Sequence, residues 1–454
     1  MASGVKRLHA PWVLLADGWH SDQLLEIDAQ GMLAGVASGQ PAQADQSLPG
    51  PVLPAMPNVH SHAHQRLMAG LTGRAGNRDD SFWTWREQMY RVVGGIGPEE
   101  LRVIAAWLYL ELIEGGYTTS GEFHYAHRLA GARALDSAQA LIEAASETGM
   151  ALTLLPVWYR YSGFGRKTPA SAQSPFVLEP DDYQRLVSDC RRMAGEQQAV
   201  VVGLAPHSLR AVAVEDLAPL LAEFPDLPVH IHIAEQTGEV EACRAWHGDS
   251  PVRVLFDQVD VDDRWCLVHA THADGDELER MARARVVAGL CPTTEADLGD
   301  GIFTASDYLA QGGRIAIGSD SNLVTSAAEE LRLLEWSQRY RLAQRNVLAD
   351  CTGVGRFLWA RAGAGGAAAL RQPVGQVGVG KRADFIVLDQ QHPLLAGLSA
   401  DWWLDVFVFH GGHGMINEVW CAGQRQVSGG RHRARERLLP AFVELRRRLQ
   451  KAAP

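Results

Sequence analysis

Short apolar runs recur from residue 50 to about residue 325, and most are separated by longer segments whose apolar residues repeat every three or four positions. Runs that are apolar almost throughout predict strands buried on both faces, as in a parallel sheet, and the longer segments predict helices. Helices are expected over 98–115 and 130–148. The runs predicted as strands are 52–62, 117–125, 151–159, 199–208, 227–235, 264–272, 285–294 and 314–321.

Eight strand and helix units over this length predict an α/β fold of the (β/α)8 TIM barrel type. Barrels of this type collect catalytic residues at the carboxyl ends of their strands, whereas an open doubly wound sheet concentrates its ligands at one switch point. Polar or aromatic residues stand at the end of nearly every run here, which favours the barrel. These residues are His60, His62, Glu122, His124, Tyr125, Trp158, Tyr159, His207, His232, Glu235, His269, Thr293, Thr294 and Asp320.

The two ends of the chain have a different pattern. Residues 1–50 and 374–430 hold short strand-like pieces separated by turn residues. This pattern predicts a small β-sandwich formed by both termini and packed beside a barrel over 51–373. The periodicity within 431–454 predicts a C-terminal helix whose arginines form a solvated face.

Composition narrows the class of protein. The 454 residues are 46% hydrophobic and 21% charged, and no apolar run is long enough to predict a membrane span. A net charge of -11 argues against a nucleic-acid binder but allows a small anionic substrate. The six cysteines form no Cys-x-x-Cys pair, and the N-terminus has no secretory pattern. Together these features predict a cytoplasmic protein without a disulfide framework.

Histidine and aspartate at the strand ends suggest metal chemistry. His60 and His62 can share a metal ion, because side chains two residues apart on a strand point to one face. The same spacing recurs at His230 and His232, and another strand ends in Asp320. Imidazole and carboxylate ligands together are typical of zinc. The competing interpretation is a set of packed interior histidines with a turn aspartate, and the spacing alone leaves open which of His230 and His232 would be a ligand.

With these residues in place, the chain resembles the amidohydrolase superfamily over essentially its whole length, from segment 53–62 to segment 380–384. More narrowly, it is similar to the bacterial N-formimino-L-glutamate deiminases of histidine degradation. The narrower similarity depends on four segments. They are Asp-Ser-Phe-Trp-Thr-Trp-Arg-Glu at 80–87, Glu-Phe-His-Tyr at 122–125, His-Ser-Leu-Arg-Ala at 207–211 and Val-His-Ala-Thr-His at 268–272.

The resemblance implies a site with one zinc ion, other divalent metals being possible. A single ion is expected, because no lysine occurs in the third to fifth predicted strands, where two-metal relatives carry a bridging modified lysine. His230 is then a packed interior residue. The implied ligands are His60, His62, His232 and Asp320.

The resemblance also implies an activity, namely hydrolysis of N-formimino-L-glutamate to N-formyl-L-glutamate and ammonia. Glu235 would shuttle the proton, Asp320 would accept a proton from the attacking water, and His269 would lie beside the reacting carbon. For the substrate, the resemblance implies that Arg210 holds the α-carboxylate and Arg86 the side-chain carboxylate. Tyr125 and His207 would assist Arg210, and Gln65 would contact the substrate at the mouth of the site.

The resemblance further implies a homodimer. The expected binding partner is a small-molecule substrate, and binding to nucleic acid or to a membrane is not expected. One alternative is a deaminase of an aromatic base or nucleoside, which would use the same metal ligands and for which Trp83, Trp85 and Trp158 could stack on a ring. Another alternative is a non-catalytic barrel scaffold, although such a protein should have lost ligands that this chain keeps. The stretch Ser321-Asn322-Leu323 after Asp320 departs from the family pattern, in which a histidine can follow Asp-Ser.

Overall fold

The computed structural model describes residues 4–71, 82–195 and 199–452. Strands lie in both terminal regions and in the middle of the chain, as the apolar pattern predicts. In chain order they are β1 (Lys6–Leu14), β2 (Trp19–Ile27), β3 (Leu33–Ser38), β4 (Gln46–Ser47), β5 (Val52–Pro54), β6 (Met56–Ser61), β7 (Tyr117–His124), β8 (Ala151–Trp158), β9 (Val200–Val202), β10 (Ala205–Pro206), β11 (Val229–Ile233), β12 (Trp265–His269), β13 (Val287–Leu290), β14 (Arg314–Ile317), β15 (Phe385–Leu388), β16 (Ile416–Cys421), β17 (Gln424–Ser428) and β18 (Arg431–His432).

Helices follow most of the central strands, and the helices predicted over 98–115, over 130–148 and at the C-terminus are present as α2, α3 and α14. Among the described residues, no helix is both long and apolar enough to cross a membrane. The helices are α1 (Phe82–Gly94), α2 (Pro98–Glu114), α3 (Ala134–Thr148), α4 (Pro180–Ala194), α5 (Leu217–Glu223), α6 (Thr237–His247), α7 (Pro251–Gln258), α8 (Gly275–Arg283), α9 (Pro292–Leu298), α10 (Ala305–Ala310), α11 (Ala327–Leu342), α12 (Val354–Leu370), α13 (Trp403–Val406) and α14 (Arg435–Ala452).

The middle of the chain contains two parallel sheets. One has the order β10-β8-β7-β6 with β9 beside β8, and the other has the order β11-β12-β13-β14. Parallel bridges join Leu204 to Val229 and Ser61 to Asp320, so each sheet contacts the other at two places. Strands β6, β7, β8, β11, β12 and β13 are buried at every position, as expected for parallel strands that are covered on both faces.

The first predicted strand, 52–62, divides into two strands with different partners. Strand β5 pairs with β1 and β15 in the terminal sheet, whereas β6 pairs with β7 in the central one. Both strands are wholly buried, so the apolar pattern continues across the boundary at Ala55 and does not reveal it.

Strands from both ends of the chain lie in one sheet of nine strands. Its order is β18-β17-β16-β15-β5-β1-β2-β3, with β4 beside β1. A separate apolar cluster that includes Leu8, Leu25, Phe385 and Trp420 packs within this part of the protein. The sequence therefore brings its two ends together, and the two-layered sandwich expected for them stays a prediction.

Candidate active site

The residues predicted as metal ligands come from distant parts of the chain and lie together at the carboxyl ends of the parallel strands. His60 is in β6, and His62 directly follows that strand. His232 is in β11, and Asp320 lies three residues after β14. The carboxyl ends of neighbouring parallel strands meet at one edge, which is why these four side chains converge.

The four candidate ligand atoms are spaced as ligands of one ion would be. Nε2 of His60 is 3.1 Å from Nε2 of His62 and 2.9 Å from Nε2 of His232. Oδ1 of Asp320 is 3.3 Å from Nε2 of His62 and 3.5 Å from Nε2 of His60. Ligand atoms about 2.1 Å from a tetrahedral zinc ion lie about 3.4 Å from one another. The set could therefore hold one divalent cation.

The histidine rings are neutral, and this protonation state also suits a bound cation. Nδ1 of His62 donates to the backbone oxygen of Phe123 over 2.8 Å, so Nε2 of the neutral ring carries the lone pair that faces the centre. Burial lowers the pKa of His60 to about 3 and also lowers the pKa of His62. Neutral imidazoles whose lone pairs converge repel one another unless a cation lies between them, so this donor set fits a metal ion.

The structure separates His230 from the cluster. Nε2 of His230 forms a hydrogen bond of 2.9 Å with the backbone oxygen of Ala369 in α12, and burial lowers its pKa to about 4. His232, two residues closer to the end of β11, is the histidine beside His60. His64 is also buried, with its ring centroid 6.1 Å from that of His62. It does not belong to any cluster of side chains that could bind a metal ion among the described residues.

Three carboxylates surround His269. Its Nε2 is 3.8 Å from Oε1 of Glu235 and 3.7 Å from Oδ2 of Asp320, while its Nδ1 is 3.2 Å from Oε1 of Glu295. Burial opposes a charge on this ring, but the neighbouring carboxylates outweigh it and raise the pKa of His269 to about 10. Burial also raises the pKa of Glu235. These groups can exchange protons with a molecule bound between them.

Glu295 did not emerge from the sequence, although it stands one residue beyond the predicted strand 285–294. It lies in the first turn of α9, and its Oε1 also accepts a hydrogen bond of 2.8 Å from the backbone nitrogen of Cys291. The carboxylate is thus held in place on the side of His269 that faces away from Glu235. Its acidic side chain at a strand end was the signal that could have identified it.

Asn322, which stands where the family pattern can have a histidine, has a structural role. Its side chain is fully buried, and Nδ2 donates to the backbone oxygens of His62 over 3.1 Å and Asp320 over 2.9 Å. Oδ1 of Asn322 accepts from the Ser319 hydroxyl over 2.6 Å. Asn322 therefore joins the two segments that carry candidate ligands.

A pocket opens above the cluster. The residues proposed for catalysis and substrate binding all line it, and of the candidate ligands only His60 lies beneath the lining. The predicted residues in its wall are His62, Gln65, Arg86, Tyr125, His207, Arg210, His232, Glu235, His269 and Asp320. Sequence reasoning did not assign a role here to Met89, Tyr90, Tyr159, Phe176, Thr294 or Leu298.

Two arginines reach this pocket from different elements. Arg86 belongs to α1, and its guanidinium carbon lies 5.7 Å from the centroid of the Tyr90 ring. Arg210 follows β10, and its Nε is 3.7 Å from Oε1 of Glu239 in α6. The pocket can therefore meet two negative charges on one small molecule.

Aromatic side chains give the pocket an apolar wall. Trp85 lies in the lining, as does Phe176, whose ring centroid is 5.2 Å from that of Tyr125. Trp158 instead stacks on Tyr183, with centroids 5.5 Å apart, and its Nε1 donates to a backbone oxygen outside the pocket. In segment 80–87, residues 80 and 81 and the side chain of Trp83 lie outside the part of the chain that the structure describes.

The profile of the Amidohydrolase family matches residues 51–425. The chain belongs to the amidohydrolase family. This amidohydrolase is 48% identical over 445 residues to a formimidoylglutamate deiminase from Pseudomonas aeruginosa, a match that covers 96% of the chain and 98% of the relative. Both resemblances noted in the sequence are thereby confirmed.

Solved structures agree with this assignment. An amidohydrolase from Brucella melitensis superposes with a TM-score of 0.91 at 41% identity, covering 98% of this amidohydrolase and all of the other chain (100%). An adenosine deaminase from Xanthomonas campestris with bound zinc superposes with a TM-score of 0.83 at 20% identity, covering 98% and 99% of the two chains. The second likeness concerns the fold alone.

Proposed function

We propose that this amidohydrolase hydrolyses N-formimino-L-glutamate to N-formyl-L-glutamate and ammonia, a step in histidine degradation. The observation that carries the proposal is one pocket in which Arg86 and Arg210 accompany the cluster of His60, His62, His232 and Asp320. A substrate with two carboxylates and a reactive C=N carbon matches both features. The formimidoylglutamate deiminase from Pseudomonas aeruginosa, 48% identical, supports the same activity.

Within this proposal, His60, His62, His232 and Asp320 hold one divalent cation, with zinc as the first choice and other divalent metals possible. When bound, such an ion supplies a water molecule whose pKa is lowered to about 7, so that a nucleophile exists at neutral pH. The mixed nitrogen and oxygen ligands and their spacing support zinc.

Proton transfer is assigned to side chains of the pocket. As water adds to the formimino carbon, Asp320 accepts its proton, and Glu235 carries a proton to the departing nitrogen. The C–N bond to that nitrogen then breaks, ammonia leaves, and the formyl group remains on the glutamate nitrogen. His269 faces the carboxylates of Glu235 and Asp320, and it stabilises the oxygen of the added water as that oxygen gains negative charge.

Recognition of the substrate is assigned to the pocket wall. Arg210 pairs with the α-carboxylate with help from Tyr125 and His207, and Arg86 pairs with the side-chain carboxylate. Gln65 contacts the substrate near the mouth, and its Nε2 donates to the hydroxyl of Tyr125 over 2.8 Å. A guanidinium group binds a carboxylate through two parallel hydrogen bonds, which supports arginine at both positions.

We further propose that β6 to β14 close into a (β/α)8 barrel over 51–373 and that 1–50 with 374–430 form a two-layered sandwich. The bridges from Leu204 to Val229 and from Ser61 to Asp320 support closure of the barrel. We also propose a cytoplasmic homodimer, for which light scattering after gel filtration and cell fractionation are the tests.

The alternative is a deaminase of an aromatic base or nucleoside. Trp85 and Phe176 in the pocket wall favour it, because they could stack on a ring. Two guanidinium groups at the same pocket favour the dianion instead. A non-catalytic scaffold is disfavoured, since the candidate ligands lie together with Glu235 and His269.

The deciding experiment measures ammonia release from N-formimino-L-glutamate by zinc-loaded protein. Metal-stripped protein, N-formimino-glycine, adenine and adenosine are the controls. Zinc-dependent turnover of the glutamate compound alone is the expected result. Turnover of adenine or adenosine in its place would replace the proposal with the deaminase alternative.

A further inference from the structure

Gln173 lies beside the pocket without lining it. It ends the short 3-10 turn Ser171–Gln173, between β8 and α4, and it is 3% exposed. Its Nε2 donates to the hydroxyl oxygens of Tyr159 over 2.6 Å and Tyr90 over 3.2 Å, while its Oε1 accepts from the backbone nitrogen of Ala170 over 2.8 Å. We call these three hydrogen bonds the Gln173 link.

The backbone bond determines the direction of the other two. Because Oε1 of Gln173 accepts from Ala170, the amide nitrogen must face both phenols, which then act as acceptors. Each phenol keeps its own hydroxyl proton for a further acceptor. The same arrangement occurs at Tyr125, whose oxygen accepts from Nε2 of Gln65 over 2.8 Å.

The two phenols belong to elements of different kinds. Tyr159 directly follows β8, and its backbone oxygen accepts a hydrogen bond of 3.0 Å from Leu178. Tyr90 is in α1, one helical turn after Arg86, whose guanidinium carbon lies 5.7 Å from the Tyr90 ring centroid. The Gln173 link therefore connects a strand end of the central sheet to the helix that carries Arg86.

We propose that Gln173 is a positioning residue that sets the place of Arg86 and thereby the selectivity for a substrate with a second carboxylate. This inference rests on the proposed function. A guanidinium group on a helix can select a carboxylate only if the helix is held at a constant distance from the reacting atoms. The Gln173 link provides that constraint through Tyr90, while Phe176 packs against the same ring with centroids 5.5 Å apart.

The first test compares Gln173→Leu with the parent protein on two substrates. N-formimino-L-glutamine keeps the α-carboxylate and length of N-formimino-L-glutamate but replaces its side-chain carboxylate by an amide. We expect the preference for the glutamate compound, as a ratio of kcat/KM values, to fall about tenfold through KM, with kcat nearly unchanged. Gln372→Leu is the matched control, because Gln372 is buried and hydrogen-bonded to Leu152 and Arg382 away from the pocket.

A second test asks whether Gln173 acts through Tyr90. Tyr90→Phe should lower the same preference. The double variant with Gln173→Leu should have the same preference as Gln173→Leu alone, since both single variants lose the hydrogen bond between Gln173 and Tyr90. Limited trypsin digestion gives a readout without substrate. Cleavage after Arg86 or Arg91 should be faster in Gln173→Leu than in Gln372→Leu.

The possible results separate the two proposals. Absence of zinc-dependent turnover of the glutamate compound by the parent protein would refute the proposed function. With an active parent, an unchanged preference in Gln173→Leu overturns the inference. So does an equal loss of kcat on both substrates, which would mean that Gln173 only stabilises the fold.

Discussion

Glu235 and His269 face each other at the pocket, with 3.8 Å between Oε1 and Nε2. Both are buried, and Glu295 holds the other nitrogen of the imidazole ring. At the scale of single residues, the proposed chemistry depends on such pairs, in which one neighbour fixes the geometry and the other meets the substrate. Each role can be removed separately.

Replacing Glu235 by glutamine should leave the metal bound and reduce kcat by a factor of about 10² to 10⁴, because the amide cannot carry a proton. Elemental analysis and turnover of N-formimino-L-glutamate measure the two effects. Glu241→Gln is the control, since Glu241 is exposed on α6, the helix that follows Glu235. Loss of metal from Glu235→Gln would mean that Glu235 has a structural role.

Replacing Arg86 by methionine should reduce kcat/KM for N-formimino-L-glutamate by the equivalent of about 2 to 5 kcal/mol, because one partner of a charge pair is lost. Arg91→Met serves as the control, because Arg91 is exposed on the same helix. Steady-state kinetics of the two variants give the answer. Equal kcat/KM values for parent and Arg86→Met would exclude Arg86 from substrate binding.

At the scale of elements, the ends of the central strands carry unusual backbone conformations. Ala234, His269 and Asp320 have φ values of 50°, 66° and 44°, a region that residues other than glycine seldom adopt. Backbone hydrogen bonds hold these turns, such as the one of 2.9 Å from Asp320 to His60. The side chains of the site are aimed by this strained backbone, which packing against neighbouring strands maintains.

The approach of β14 to β6 leads to a prediction at Gly318. A Cβ atom there would lie 2.8 Å from Cβ of His60 and 3.0 Å from its backbone nitrogen and oxygen. Gly318→Ala should therefore displace His60 and weaken metal affinity about tenfold or more. Competition with a chelator measures this affinity, and Gly275→Ala is the control because its Cβ would meet open space. Unchanged affinity in Gly318→Ala would argue against His60 as a ligand.

At the scale of the whole molecule, buried histidines that the proposed mechanism does not use link stability to pH. Burial lowers the pKa values of His127 and His432 to about 4. Nε2 of each ring is hydrogen-bonded to a backbone oxygen, at 2.8 Å from Val157 and 2.9 Å from Thr148. Their pKa values in the unfolded chain are about 6.5, so the unfolded chain binds more protons between pH 4 and 6.5.

The contribution of each of these histidines to the free energy of unfolding should therefore be fully present above pH 6.5 and fall by up to about 3 kcal/mol as the pH decreases towards 4. Urea unfolding at pH 7 and pH 5 tests this for His432→Gln against the parent. The variant should lose less stability on acidification. The same loss in both proteins would show that His432 does not contribute to the pH dependence.

Local pattern was enough to predict that buried strands alternate with helices through the middle of the chain, whereas the family came from the resemblance of particular motifs. Buried parallel strands are apolar almost throughout, and helices repeat at a different period, so both can be seen in neighbouring residues. Because such strands place their carboxyl ends at one edge, the amino-acid sequence alone predicts that His60, His269 and Asp320 lie close together. Spacing within a strand and position at its end carry this information.

Spacing left two equivalent positions open on β11, the family resemblance favoured His232, and only the tertiary structure shows the physical reason. His230 and His232 share one face of β11. His230, deeper in the strand, is hydrogen-bonded to Ala369 of α12, whereas Nε2 of His232, nearer the carboxyl end, lies beside Nε2 of His60. Likewise, Glu295 and Gln173 have roles only through partners distant in sequence, namely His269 and Tyr90. A periodic pattern determines the direction of a side chain, whereas its depth in the core and its neighbours depend on how separate elements pack.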